Sequence, residues 1–180
     1  PDPDAVARRQ ADLKVVERMV EHVKDAATID PAARAAILKM WQDRRPDDDP
    51  RSMMTAAVAL MSPPYKAAMD ALDAGKHAEA VAALKPLLDS KDFYISTHAA
   101  ALTARALVEQ DRTDEAVKLI ESLADKQKGI DSRTLLGCEI KFMLGFCRVS
   151  NLQFDAALAT LKDFERLYPE APDQYRLPAR

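Results

Sequence analysis

The stretch from Leu144 to Pro169, LGFCRVSNLQFDAALATLKDFERLYP, constrains this chain more than any other. It reads as two short helices joined by a tight turn at Ser150-Asn151-Leu152. Gly145 and Ala157 are small where two helices must touch, because a close backbone approach leaves no room for a larger side chain. Leu144, Phe154, Leu158, Leu161 and Phe164 supply the large apolar residues of a buried stripe.

Two earlier stretches repeat this arrangement. From Tyr65 to Ser90 the chain reads helix, turn at Ala74-Gly75-Lys76, helix, with Ala68, Ala71, Ala80, Leu84 and Leu87 at the packing positions. From about Thr97 to Ala124 it turns at Gln110-Asp111-Arg112 and packs through Ala104, Ala116, Ile120 and Leu123. The equivalent alanines are Ala80, Ala116 and Ala157, at spacings of 116 − 80 = 36 and 157 − 116 = 41 residues. The longer spacing is absorbed by Asp125 to Arg133, a polar stretch containing Gly129.

Leu144, Gly145, Phe154, Ala157, Leu161 and Pro169 follow, in order, the signature of the tetratricopeptide repeat, which this region resembles. The first two units lack the Leu-Gly pair and the closing proline and resemble the family less. The resemblance spans Tyr65 to Pro169 and implies an all-α, right-handed solenoid of antiparallel helix pairs, preceded here by N-terminal helices. It divides the chain into an N-terminal helical segment, 1–49, and a repeat region, 50–180, with units at about 65–90, 97–124 and 138–169. After Pro169, Tyr175 and Leu177 begin what reads as a further helix, either a minimal cap or the start of more chain. The run ERLYPEAP is similar to repeats of bacterial envelope assembly proteins, which leaves the compartment open. The chain begins at Pro1 rather than methionine, as a processed or trimmed product would, so any signal or anchor before it is invisible in this sequence.

The stretch ahead of the first repeat unit reads as three helices. The first runs from Asp4 to about Ala27, with Val6, Leu13, Val20 and Ala27 spaced by seven and Val16 and Val23 between them. It is expected to lie on the repeat array; the alternative is a seam with a second copy, giving a homodimer. Asp30-Pro31 and Asp49-Pro50 each start a helix, with aspartate as cap and proline in the first turn. Trp41 is expected as a core anchor between helices. Arg44 to Pro50, RRPDDDP, is a solvated boundary. Its three aspartates lack the glycine and the distal glutamate of a calcium loop.

Composition closes off several classes. Acidic and basic side chains are interleaved and the net charge is −3, so no basic platform for a phosphate backbone is expected. The longest apolar run, Met53 to Met61, is far short of the roughly 20 residues that a membrane-spanning helix needs. Cys138 and Cys147 fall in one helix about 13 Å apart, too far to bridge, and are expected as core residues. His22, His77 and His98 are scattered, and no nucleophile elbow, phosphate loop or zinc motif is present. The expectation is therefore a protein that is not an enzyme and uses neither cofactor nor metal.

In the tetratricopeptide family the first helix of each pair lines a concave face. Carried onto this chain, that implies Tyr65, Met69 and Leu72 from the first unit and His98, Ala101, Arg105 and Val108 from the second. The third contributes Glu139, Phe142, Phe146 and Val149. Of these, Tyr65, Met69, His98, Arg105, Glu139, Phe142 and Phe146 form the candidate site for a protein or peptide partner. Aromatic residues would act as anchors and Arg105 would read an acidic group. The alternative for the same residues is burial, with the N-terminal helices lying in the groove. Two other classes stay open: a self-assembly module, and an accessory domain of a larger enzyme or envelope complex.

Overall fold

The computed structural model describes residues 3–126, 135–162 and 164. Among them it is all-helical, with no strand.

Proline and a capping side chain together set three of the helix starts. After α1 (Pro3–Asp25), α2 (Pro31–Gln42) begins where Asp30 accepts from the amides of Ala32 and Ala33. α3 (Pro50–Met61) begins where Asp49 accepts from both the amide and the hydroxyl of Ser52. In each case proline stands at the first position, where its missing N–H costs nothing. Ser62 closes α3 by donating its N–H to Val58 and opens α4 (Pro63–Asp73) by accepting from the Tyr65 amide. The first helix pair therefore starts at Pro63, two residues before the position expected from the sequence.

The rest is α5 (His77–Leu84), α6 (Phe93–Val108), α7 (Thr113–Lys126), α8 (Leu135–Ser150) and α9 (Phe154–Leu161). α5 is short because Pro86 removes a backbone donor, and the chain leaves the helix through a 3₁₀ turn at Lys85–Leu87.

Three turns join α4 to α5, α6 to α7 and α8 to α9, and they are the same turn. Gly75, Asp111 and Leu152 are the described residues with positive φ, at 73°, 57° and 57°. Each donates its N–H to the carbonyl three residues back: Leu72, Val108 and Val149. The following residue donates to the carbonyl five back: Ala71, Leu107 and Arg148. This left-handed helix end satisfies carbonyls that the helix itself leaves without partners. Five residues after each positive-φ residue stands a buried alanine, Ala80, Ala116 or Ala157. Gly145, Ala68 and Ala104 are the corresponding small residues on the first helices. At Gly145 the approach is so close that a Cβ would lie 2.6 Å from Leu161 Cγ.

Consecutive helices pack on one another, and α6 also touches α4 and α8. One continuous core runs from Val15 on α1 to Cys147 on α8. The N-terminal segment thus shares its core with the helix pairs. α1 packs on α2, α3 and α8 through Val15, Val16, Met19, Val20 and Val23. Of the seven-spaced stripe, Val20 is buried, Leu13 half-buried, and Val6 and Ala27 exposed. The buried positions follow the mixed three-and-four spacing of a helix lying on a globular surface. Trp41 is half-buried against the core, and the Arg44 guanidinium sits 3.7 Å from its ring centroid.

Candidate functional site

The face that carries most of the expected partner contacts starts at the first turn of α6. Asp92 caps that helix: Oδ1 accepts from the Tyr94 and Ile95 amides, while Oδ2 lies 2.7 Å from His22 Nε2 on α1. The His22 ring sits 5.2 Å from that of Tyr94. Burial pushes the Tyr94 phenol above its ordinary pKa, against the pull of Arg18 on α1 and with a further push from Asp92. His22 thus ties α1 to the first turn of α6.

One turn further along α6, His98 is 7% exposed, with Nδ1 2.7 Å from the Tyr94 carbonyl oxygen. Its ring meets that of Tyr65, 4% exposed, edge to face at 6.3 Å. Tyr65 and His98, expected to line an accessible groove, are therefore interior residues where α4 meets α6. Met69 is half-buried against the core and Phe142 is half-buried. Arg105 and Phe146 reach the surface. Glu139 lies on α8, and its side chain falls outside the described residues, as does that of Cys138. Of the six with described side chains, Tyr65 and His98 are buried, Met69 and Phe142 half-buried, and Arg105 and Phe146 exposed.

A second surface was not singled out by sequence reasoning. The α8–α9 pair is fixed to α7 along one flank. Arg148 reaches Glu121 Oε1 at 2.5 Å and also bonds the Thr160 hydroxyl. Asn151 accepts from Thr113 Oγ1 at 2.9 Å and donates to Asp114 Oδ1 at 2.5 Å. Gly145 and Arg148 face α9, and Ala157 and Thr160 face α8. Phe146 and Val149 follow Gly145 by one and four residues, and Phe154 and Leu158 stand three before and one after Ala157, so at about 100° per residue all four border the α8–α9 contact. All four are exposed: Phe154 at 61%, Leu158 at 73%, Phe146 and Val149 at 45%. Leu152, in the turn between them, is exposed as well.

The exposure of Phe154 and Leu158 corrects their assignment to a buried stripe. Their counterparts one unit earlier are Thr113 and Val117, and α8 packs on the helix that carries them, leaving Val117 at 6%. What buries such positions is the next helix pair, and no described residue stands in that place over α9. Leu144 and Leu161, from the same expected stripe, are half-buried, and Phe164 is buried.

Other candidate chemistry has structural explanations. Asp47 and Asp48 both pair with Arg45 and Asp49 caps α3, so all three consecutive aspartates are engaged. Among the described residues, no group of three His, Cys, Asp or Glu side chains could hold a metal ion, and no helix is long and apolar enough to cross a membrane. Cys147 is buried, which pushes its thiol pKa up to about 11 and suppresses the reactive thiolate. A half-open cleft of about 570 Å³ lies where Pro86 cuts α5 short, between Leu88, Phe93, Leu119 and Leu123, with Lys85 and Lys91 at its rim.

Comparison of the chain with protein-family models, with curated proteins and with solved structures finds no match.

Proposed function

We propose that this protein is a non-enzymatic scaffold of the tetratricopeptide type, which binds a protein or peptide partner through a solenoid of helix pairs. One observation carries the reading. The same left-handed turn, with the same two backbone hydrogen bonds and a buried alanine five residues on, occurs at Gly75, Asp111 and Leu152. Three equivalent turns joining pairs that pack in series are what a repeat scaffold requires. Partner contact then falls to Arg105 and Phe146, the candidate residues that reach the surface.

Self-assembly through α1 is less well supported, since the apolar face of that helix is already spent on α2, α3 and α8.

The test is affinity capture from a lysate of the source organism, with mass spectrometry, using the wild type and an Arg105→Ala/Phe146→Ala double variant. Both side chains are exposed, so the variant should keep its helicity. The proposal expects a protein retained by the wild type and depleted at least tenfold on the variant. Identical retained sets would overturn this location of the site.

A further inference from the structure

The cleft beside Pro86 arises from a mismatch between two helix pairs. α5 and α7 begin at the same place after their turns, but α5 has 8 residues and α7 has 14. Pro86 ends the shorter one, because it cannot donate the next helical hydrogen bond. The chain then crosses from the 3₁₀ turn to Asp92, the cap of α6, while α7 runs back along α6 to Lys126. Between the crossing segment and the later turns of α7, with the start of α6 beneath, lies the half-open cleft of about 570 Å³. All the residues that line it are described ones.

Its floor is apolar. Leu88 comes from the crossing segment, Phe93 and Ala100 from α6, and Leu119 and Leu123 from α7. Ala100 and Leu123 are buried, and the other three are half-buried against the core. Two of the hydroxyls in the lining are engaged with nearby backbone: Ser90 accepts from the Asp92 amide, and Ser96 donates to the Phe93 carbonyl. The rim carries charge. Lys85, Asp89 and Lys91 are all exposed, and none makes an ion pair or a side-chain hydrogen bond with a described residue. Two ammonium groups against one carboxylate leave a single net positive charge above the apolar floor. A concave site of this volume, with apolar walls and a few polar groups, has the dimensions of small-molecule sites, about 300–1,000 Å³.

We infer that this cleft is a binding site for a small amphiphilic monocarboxylate. The apolar body lies over Phe93, Leu119 and Leu123, and the acid group stays at the rim with Lys85 and Lys91. Charge selects the class. A cationic amphiphile would meet two like charges, and a phosphate dianion would bring a second negative charge beside Asp89. The apolar body excludes water from the floor, while the carboxylate gives the two lysines the counter-charge that no described side chain supplies. The site uses neither Arg105 nor Phe146, so it is independent of the partner surface proposed above and of the repeat reading.

The experiment titrates the ¹⁵N-labelled full chain with sodium decanoate, kept below its micelle concentration, and follows backbone amide shifts. Octanoate and decyltrimethylammonium are the comparison ligands. Saturable shifts centred on residues 85–96 and 119–123 support the inference. Decanoate should bind more tightly than octanoate, by about fourfold for each added methylene that the cleft covers. Decyltrimethylammonium should bind more weakly than decanoate. A Lys85→Glu/Lys91→Glu variant should lose roughly tenfold in decanoate affinity and reverse the preference between the two ten-carbon ligands. Both lysines are exposed, and circular dichroism checks that helix content is unchanged. The comparison of ligands on the wild type stands without the variant. No saturable shift, equal affinity for the cationic amphiphile, or decanoate affinity unchanged in the variant would each overturn the inference. Shifts centred instead on Phe146, Phe154 and Leu158 would also overturn it, since the exposed apolar side chains of the last pair would then be the binding surface.

Discussion

Substituting Gly145 by alanine sets two effects of known sign against each other. In the middle of α8, alanine in place of glycine favours the helix by about 1 kcal/mol, because glycine loses more backbone entropy on folding. Here, however, the added Cβ would lie 2.6 Å from both Cγ and Cδ2 of Leu161 and 2.9 Å from Cδ1. Turning the terminal methyls about χ2 leaves the Cγ contact in place, so either Leu161 leaves its χ1 rotamer or α9 moves away from α8. Forcing an extra carbon into a packed site costs about 1–3 kcal/mol. The net expectation is a loss of about 1 kcal/mol, which corresponds to a fall of about 2–4 °C in Tm for a chain of this size. The decisive assay is a double-mutant cycle in urea with Leu161→Ala. In that background the contact is gone, so Gly145→Ala should become stabilising by about 1 kcal/mol. A change of sign between backgrounds is the signature of close helix approach. If Gly145→Ala stabilised both backgrounds equally, the interpretation of Gly145 as the contact point of the pair would be refuted.

Leu152 holds the left-handed turn position with a branched side chain, a conformation that costs roughly 1–2 kcal/mol outside glycine. Leu152→Gly should therefore raise the urea midpoint despite shrinking an apolar residue, and a lower midpoint would count against equivalence with the Gly75 turn. Burial of Cys147 predicts that alkylation by iodoacetamide at pH 8 is limited by opening of the fold. Mass spectrometry of the Cys147 peptide should show a rate that climbs with urea, whereas rapid native labelling contradicts the burial. Acid should destabilise the fold. Burial pushes the Asp49 carboxyl up, but bonds from the Ser52 hydroxyl and from the Ser52 and Arg51 amides outweigh it and hold the pKa below its ordinary value. Asp48 is held down by the Arg45 amide and guanidinium, and Glu115 by Arg112. Carboxyls lowered in the folded state stabilise it above their unfolded pKa, about 4, and lose that contribution as pH falls through the folded values. Tm should thus stay level from pH 7 to 5 and fall below pH 4, with a smaller fall in Ser52→Ala. A Tm that rises on acidification would contradict the assignment.

Much of the local architecture was legible because it depends on neighbours in sequence. Asp30-Pro31 and Asp49-Pro50 announce helix starts through a cap oxygen and a residue that cannot donate. The three turns are marked by small or polar residues at 75 and 111, and by the alanine five positions on. At Leu152 the alanine carries the signal almost alone. Burial across units was harder to read. Phe154 and Leu158 are as apolar as Val81 and Val117, and only the presence of a following helix separates buried from exposed. The resemblance to the tetratricopeptide repeat implies Tyr65 and His98 as groove residues, but where α4 and α6 meet, their rings turn toward each other. The placement of α1 could not come from its heptad-like stripe either, because Val15 and Met19, outside that stripe, complete its buried face. Pairing with a second helix and packing on a globular surface differ by only such one-residue rotations.

The account centres on a helical scaffold whose partner contact falls at Arg105 on α6 and Phe146 on α8. Hydrogen exchange by mass spectrometry, on the full chain with and without the protein that affinity capture retains, tests this most directly. The predicted footprint is slower exchange around Arg105 and Phe146, both exposed in the free chain, with α1 unchanged. Protection confined to α1, or no change anywhere at saturating partner, would contradict it.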